Sequence, residues 1–139
     1  MRAKQAGHRH FVVLDPGEEV VEGINAYVRK HGIRAGSIQA IGAVDNVGLR
    51  LYSPRDKKYI DKDLDGMFEI LNVSGNVAVR DGQPAAHVHI TLGDADFLAI
   101  GGHLRSATVS VTCEIIIDAS DATVERVEDE TIGLAVWKP

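Results

Sequence analysis

The sequence predicts an α+β fold: a mostly antiparallel β-sheet of about seven or eight strands with one main helix, over about 18–31. Three observations predict it. Apolar and polar side chains alternate at every second residue through most of the chain, the mark of half-buried strands. One segment alone switches to a three- and four-residue period. The strand-like runs succeed one another through short turns without intervening helices, which argues against a doubly wound parallel sheet.

At 139 residues the chain is one domain, 1–139. Only 5% of the residues are aromatic, so Val, Ile and Leu must build the core. No apolar run approaches the length of a membrane-spanning helix. Met1 to Gln5 has no apolar signal-like region, and the single cysteine, Cys113, suits a reducing compartment; the expected location is cytoplasmic. Cys113 lies in an apolar run and is expected to pack rather than react. The net charge of −5 and the scattered basic residues count against a duplex-DNA binder, which needs clustered Lys and Arg to displace phosphate counterions.

Phe11-Val12-Val13-Leu14 reads as the first strand, broken by Asp15-Pro16-Gly17. Asp15 is expected to cap the helix, with Pro16 in its first turn. Val20, Val21, Ile24, Tyr27, Val28 and His31 recur at helical spacing, and Gly32 ends the helix. Ser37 to Tyr52 reads as two short strands interrupted at Asp45-Asn46, with Val47, Leu49 and Leu51 on one face of the second. Ser53 to Gly66 reads as a surface excursion with a small hairpin around Tyr59 and Ile60. Phe68 to Arg80 is a long strand bent at Gly75, with Leu71, Val73, Val77 and Val79 on one face. Asp81-Gly82 is a tight-turn signal that returns the chain antiparallel. Next come a run at Phe97 to Ile100 and a strand from Ala107 to Ile117, the latter with Val109, Val111, Cys113, Ile115 and Ile117 inward. Glu125 to Glu130 is acidic and exposed, and Ile132 to Trp137 supplies the last strand.

The chemistry is expected where histidines cluster. In Ala86 to Leu92, Ala86, Val88, Ile90 and Leu92 share one face, and His87, His89 and Thr91 the other. Two residues along a strand are roughly 6–7 Å apart, so His87 and His89 can lean toward one ion. Gly101-Gly102 precede His103, and paired glycines suit a bulge or a close backbone approach. If that run folds back antiparallel, His103 joins the pair. Three histidines with a fourth position open is a catalytic-type arrangement for Zn2+ or another divalent metal. The alternative is a set of hydrogen-bonding histidines on a half-exposed sheet face or at a subunit contact. Glu114, in an apolar strand, and Glu69, beside Phe68 and Ile70, are the candidate catalytic carboxylates. A salt bridge or an exposed face is the competing account of each.

Gly42-Ala43, Phe68-Glu69-Ile70-Leu71, Gly75-Asn76, Asp81-Gly82, His87-Val88-His89 and Gly101-Gly102-His103-Leu104 occur in this order, with Glu114 in a late apolar strand. From about Phe11 to Ile117 the chain resembles the plant- and prokaryote-conserved domain family, PPC or PCC. The resemblance implies a barrel-like sheet and a homotrimer. Family members are named as candidate DNA-binding proteins, and plant relatives contact the minor groove through a separate AT-hook, an Arg-Gly-Arg-Pro-like segment that this sequence lacks. The fold is also similar to that of acetolactate decarboxylase, which binds zinc through a His-x-His pair and a later histidine. That pattern carries over to His87, His89 and His103 only.

Two functions are expected on these grounds. One is a metal-dependent site that binds or transforms a small-molecule ligand as a lyase or hydrolase, with Glu114 or Glu69 moving the proton. The other is a non-enzymatic trimeric regulator or scaffold that binds a partner, DNA included.

Overall fold

In a computed structural model the described residues, 1–138, form nine strands and one helix. The strands are β1 (Arg2–Ala6), β2 (Arg9–Leu14), β3 (Gly36–Ser53), β4 (Lys58–Leu64), β5 (Phe68–Arg80), β6 (Gln83–Gly93), β7 (Ala99–Ala119), β8 (Glu125–Asp129) and β9 (Leu134–Lys138). The helix, α1, is Val20–Lys30. The α+β class holds, but the sheet is not a clean barrel. β7, β3, β5 and β6 pair in a ring, β7–β3, β3–β5, β5–β6 and β6–β7, while the remaining strands extend it. All pairings are antiparallel except one bridge, Val79 to Glu125, between β5 and β8.

The strands are longer than the sequence predicts, because runs expected to be separate are joined. Ser37 to Tyr52 is one strand, not two: Asn46 takes a positive φ of 48° and the ladder shifts register there without ending. Likewise 97–100 and 107–117 are parts of β7, except that Phe97 and Leu98 lie in the preceding turn. At Ile70/Asn72 one extra residue of β5 turns Leu71 out, whereas between Val109 and Cys113 four residue steps of β7 span two of β3, so Val111 turns out while Cys113 and Ile115 stay inward. Val111, expected inward, is 60% exposed, and Leu71 is 52% exposed beside the register shift at Ile70/Asn72. Leu51, expected on one face with Val47 and Leu49, is exposed where β3 pairs only with β4, while those two are buried. β1 carries no apolar alternation, all five residues being exposed, so nothing in its pattern announces a strand.

The helix starts later than expected. Glu19, not Asp15, is the N-cap, its carboxylate accepting from the Glu22 amide, and Pro16-Gly17 form a turn before it. Val20, Ile24, Tyr27 and Val28 are buried on one face, and Gly32 ends the helix with a φ of 63°. The core lies between this face and the ring, through Leu14, Ile38, Val73, Val88, Leu92 and Ile115 among others. Cys113 is fully buried, and burial pushes its thiol up to about 12, so it packs as a small apolar group. Helix and sheet are pinned by polar bonds as well. Asn25 Oδ1 accepts from the Ala86 amide (2.9 Å), and Glu19 Oε1 from the Ala107 amide (2.8 Å). These two bonds fix β6 and β7 against α1. No helix among the described residues is long and apolar enough to cross a membrane.

Candidate metal centre

The turn Asp81-Gly82 has φ of 52° and 77°, both positive as a two-residue type I′ hairpin requires, and it sets the register of β5 against β6. Val88, Ile90 and Leu92 are buried as the alternation predicts, so His87 and His89 face away from the core. β7 then runs back along β6 with His103 opposite His89. The glycines permit this. A Cβ on Gly101 would collide with the Ile90 carbonyl oxygen, and one on Gly75 with the His87 carbonyl oxygen. Gly75 is therefore a point of close strand approach.

The three imidazoles converge. One ring nitrogen from each of His87, His89 and His103 lies within 4.8 Å of the others, and among the described residues no carboxylate or thiol completes the group. Ring centroids are 4.9–5.4 Å apart. The Nε2 atoms of His87 and His89 are 3.3 Å apart. A tetrahedral ion with bonds of about 2.0–2.1 Å places its ligands about 3.3 Å apart, so this separation fits an N···M···N edge. Burial, then repulsion from Arg126 and the other histidines, lowers the His87 pKa to about 4, and burial lowers that of His103. Both are neutral near pH 7, the form in which imidazole binds metal. Three imidazole nitrogen donors without thiolate suit a divalent ion with one position left for another ligand.

Around the triad stand residues that sequence reasoning missed. Arg50 on β3 pairs with Asp61 on β4 through two bonds, 3.0 and 2.9 Å, and lies over the Tyr59 ring. Tyr59 in turn is 6.2 Å from His103 between ring centroids. Arg126 on β8 reaches back from the segment read as acidic and exposed. Its Nη2 donates to Asn76 Oδ1 (2.7 Å) and its Nη1 to the Ala135 carbonyl (3.3 Å). A lone arginine among acids was the only sequence signal. His87, His103, Arg50, Arg80, Arg126 and Glu128 border a cavity of about 350 Å³. Glu69 and Glu114 are exposed, and neither belongs to the histidine group nor lines this cavity.

Comparison with known proteins adds a frame. Residues 1–121 match the model of the Plants and Prokaryotes Conserved (PCC) domain. A crystal structure from Bacteroides thetaiotaomicron, of a protein provisionally described as DNA-binding, superposes with a TM-score of 0.96 at 32% identity, over 99% of this chain and 96% of that one. A metal-containing protein from Archaeoglobus fulgidus gives 0.88 at 36% identity, over 97% and 96%. AT-hook motif nuclear-localized protein 15 of Arabidopsis thaliana is 31% identical over 87% of this chain, which spans only 39% of the plant protein's length. The alpha-acetolactate decarboxylase of Bacillus subtilis strain 168, at 15% identity and a TM-score of 0.59 over 91% of this chain and 58% of that one, shares the fold alone.

Proposed function

The chain belongs to the Plants and Prokaryotes Conserved domain family, and from that premise we propose that it is a metal-dependent small-molecule protein whose His87, His89 and His103 hold a zinc-like divalent ion. The convergence of three ring nitrogens within 4.8 Å carries this reading. The relative named as metal-containing supports it at 36% identity. A metal so held supplies Lewis acidity, to a bound water or to a carbonyl, as a lyase or hydrolase uses it. The chain's own part is to keep His87 and His103 neutral and to wall one side of the site with the cavity beside them. In the catalytic form of the reading Glu69 or Glu114 moves the proton; Glu69→Gln and Glu114→Gln variants with full turnover would remove that role.

The working unit in this reading is a homotrimer in a reducing, cytoplasmic setting. Four strands adjacent in the sheet each leave a large apolar side chain exposed: Phe11 on β2, Val111 on β7, Ile41 on β3 and Leu71 on β5. A second copy of the chain would cover them. Sedimentation of an Ile41→Lys, Val111→Lys variant as monomer, against a trimeric parent, checks this.

The decisive experiment is metal content of untagged protein beside a variant with all three histidines changed to alanine. Near one divalent ion per chain in the parent and none in the folded variant is the expected result. No ion in either, and no uptake on soaking, refutes the metal reading. The names of the plant and Bacteroides relatives favour a second reading, a non-enzymatic regulator that binds DNA. It requires binding that weakens steeply with salt. No binding at low salt excludes it.

A further inference from the structure

We propose that the cavity beside the three histidines binds a small carboxylate whose charge is matched by Arg126. The inference rests on reading this region as a small-molecule site and names the ligand class. In a chain of net charge −5, the cavity wall carries three arginines and one carboxylate, Glu128. Two of the arginines are already matched. Arg50 is held by both oxygens of Asp61, and Arg80 by Glu128 at 3.0 Å.

Among the described residues no carboxylate pairs with Arg126. Its two bonds go to neutral acceptors, the Asn76 side chain and the Ala135 carbonyl. Its Nε is buried and has no partner. Its guanidinium lies 5.9 Å from the Trp137 ring centroid, an apolar neighbour. A half-buried cation without a counter-charge is costly. An anion entering the cavity removes that cost. The planar, forked guanidinium fits a planar carboxylate better than a point charge would. A cavity of about 350 Å³ sets the scale: an organic acid of a few carbons, with a second oxygen free for the histidine side.

Lactate is a suitable probe, lactamide its neutral counterpart of the same shape, and inorganic phosphate the non-planar oxyanion. Binding is measured by titration calorimetry on the parent and on Arg126→Gln and Arg126→Lys, with metal content determined on the same samples. The expected result is lactate binding to the parent at least about tenfold tighter than lactamide, and a loss of about tenfold or more in Arg126→Gln, partly restored in Arg126→Lys. Metal content stays that of the parent in both variants. Because Arg126 also ties β8 to Asn76, a side-chain 15N spectrum of the parent provides a check free of any variant: its Nε–H resonance shifts with lactate and not with lactamide. Equal binding of lactate and lactamide, no shift at Arg126, or preference for phosphate overturns the proposal. A parent that binds lactate through Arg126 but carries no metal keeps this inference and dismisses the metal reading, so the two fail separately.

Discussion

The molecule contains two histidine clusters, and they differ in where their ring nitrogens go. His10, on β2, is buried at 3% exposure; its Nδ1 lies 3.1 Å from the Tyr27 hydroxyl, and Tyr27 stacks on His31 at 4.2 Å between centroids. That group is a polar joint between β2 and α1, in which His10 Nδ1 bonds the Tyr27 hydroxyl and His31 adds ring contacts. His87, His89 and His103 have nitrogens aimed at one another, and the one contact of hydrogen-bond length within the group, His87 Nε2 to His89 Nε2, is a hydrogen bond only when one of the two atoms carries the proton. Proximity of histidines is thus common to a structural joint and a candidate site. What separates them is whether protein partners use up the nitrogens.

The largest expected effect sharpens that contrast. Alanine at His87, His89 and His103 abolishes metal binding in a chain that still folds, while alanine at His10 and His31 leaves metal content unchanged; elemental analysis of both variants decides. Next, Gly101→Val drives a side chain into the Ile90 carbonyl. It should cost roughly 3 kcal/mol in denaturant unfolding and also lower metal content, because it displaces His103 from His89. A stable variant with full metal would uncouple the site from the strand pairing. His10→Ala, by contrast, should cost about 1–2 kcal/mol through the orphaned Tyr27 hydroxyl, with metal content unaffected.

The contrast also has a pH dependence, measured on metal-free protein by denaturant unfolding. The folded chain refuses a proton at His87 until about pH 4, whereas the unfolded chain takes it near 6.5. Stability therefore falls as pH drops from about 6.5 toward 4 and loses no more from this group below that. Burial also lowers the pKa of His10, so the triple-alanine variant should keep a shallower slope of the same sign. An unchanged slope would place the whole effect in the structural joint.

Much of the triad was legible in the sequence. A strict alternation over 86–92 fixes the facing of His87 and His89, and a glycine pair before His103 announces the close approach that Gly101 makes. The surrounding residues were not legible. Arg126 borders the cavity because β8 returns to β5 by a single bridge, and pairings between distant strands leave no local pattern. Val111 and Leu71 escape the alternation because a bulge changes the facing of a strand without changing its composition. Helix α1 is announced by its period, but its cap is not, since Asp15 and Glu19 both offer a carboxylate and the selection lies in Glu19's bond to the Glu22 amide.

The β8–β9 hairpin touches the ring's backbone at one bridge, next to the bond from the Val79 amide to the Val124 carbonyl (2.8 Å). The residues that match the family model end at 121, before that hairpin begins, whereas the triad lies wholly within them. The hairpin nonetheless supplies Arg126, Glu128, Leu134 and Ala135 to the cavity, so replacing these side chains would give the same three histidines a different wall.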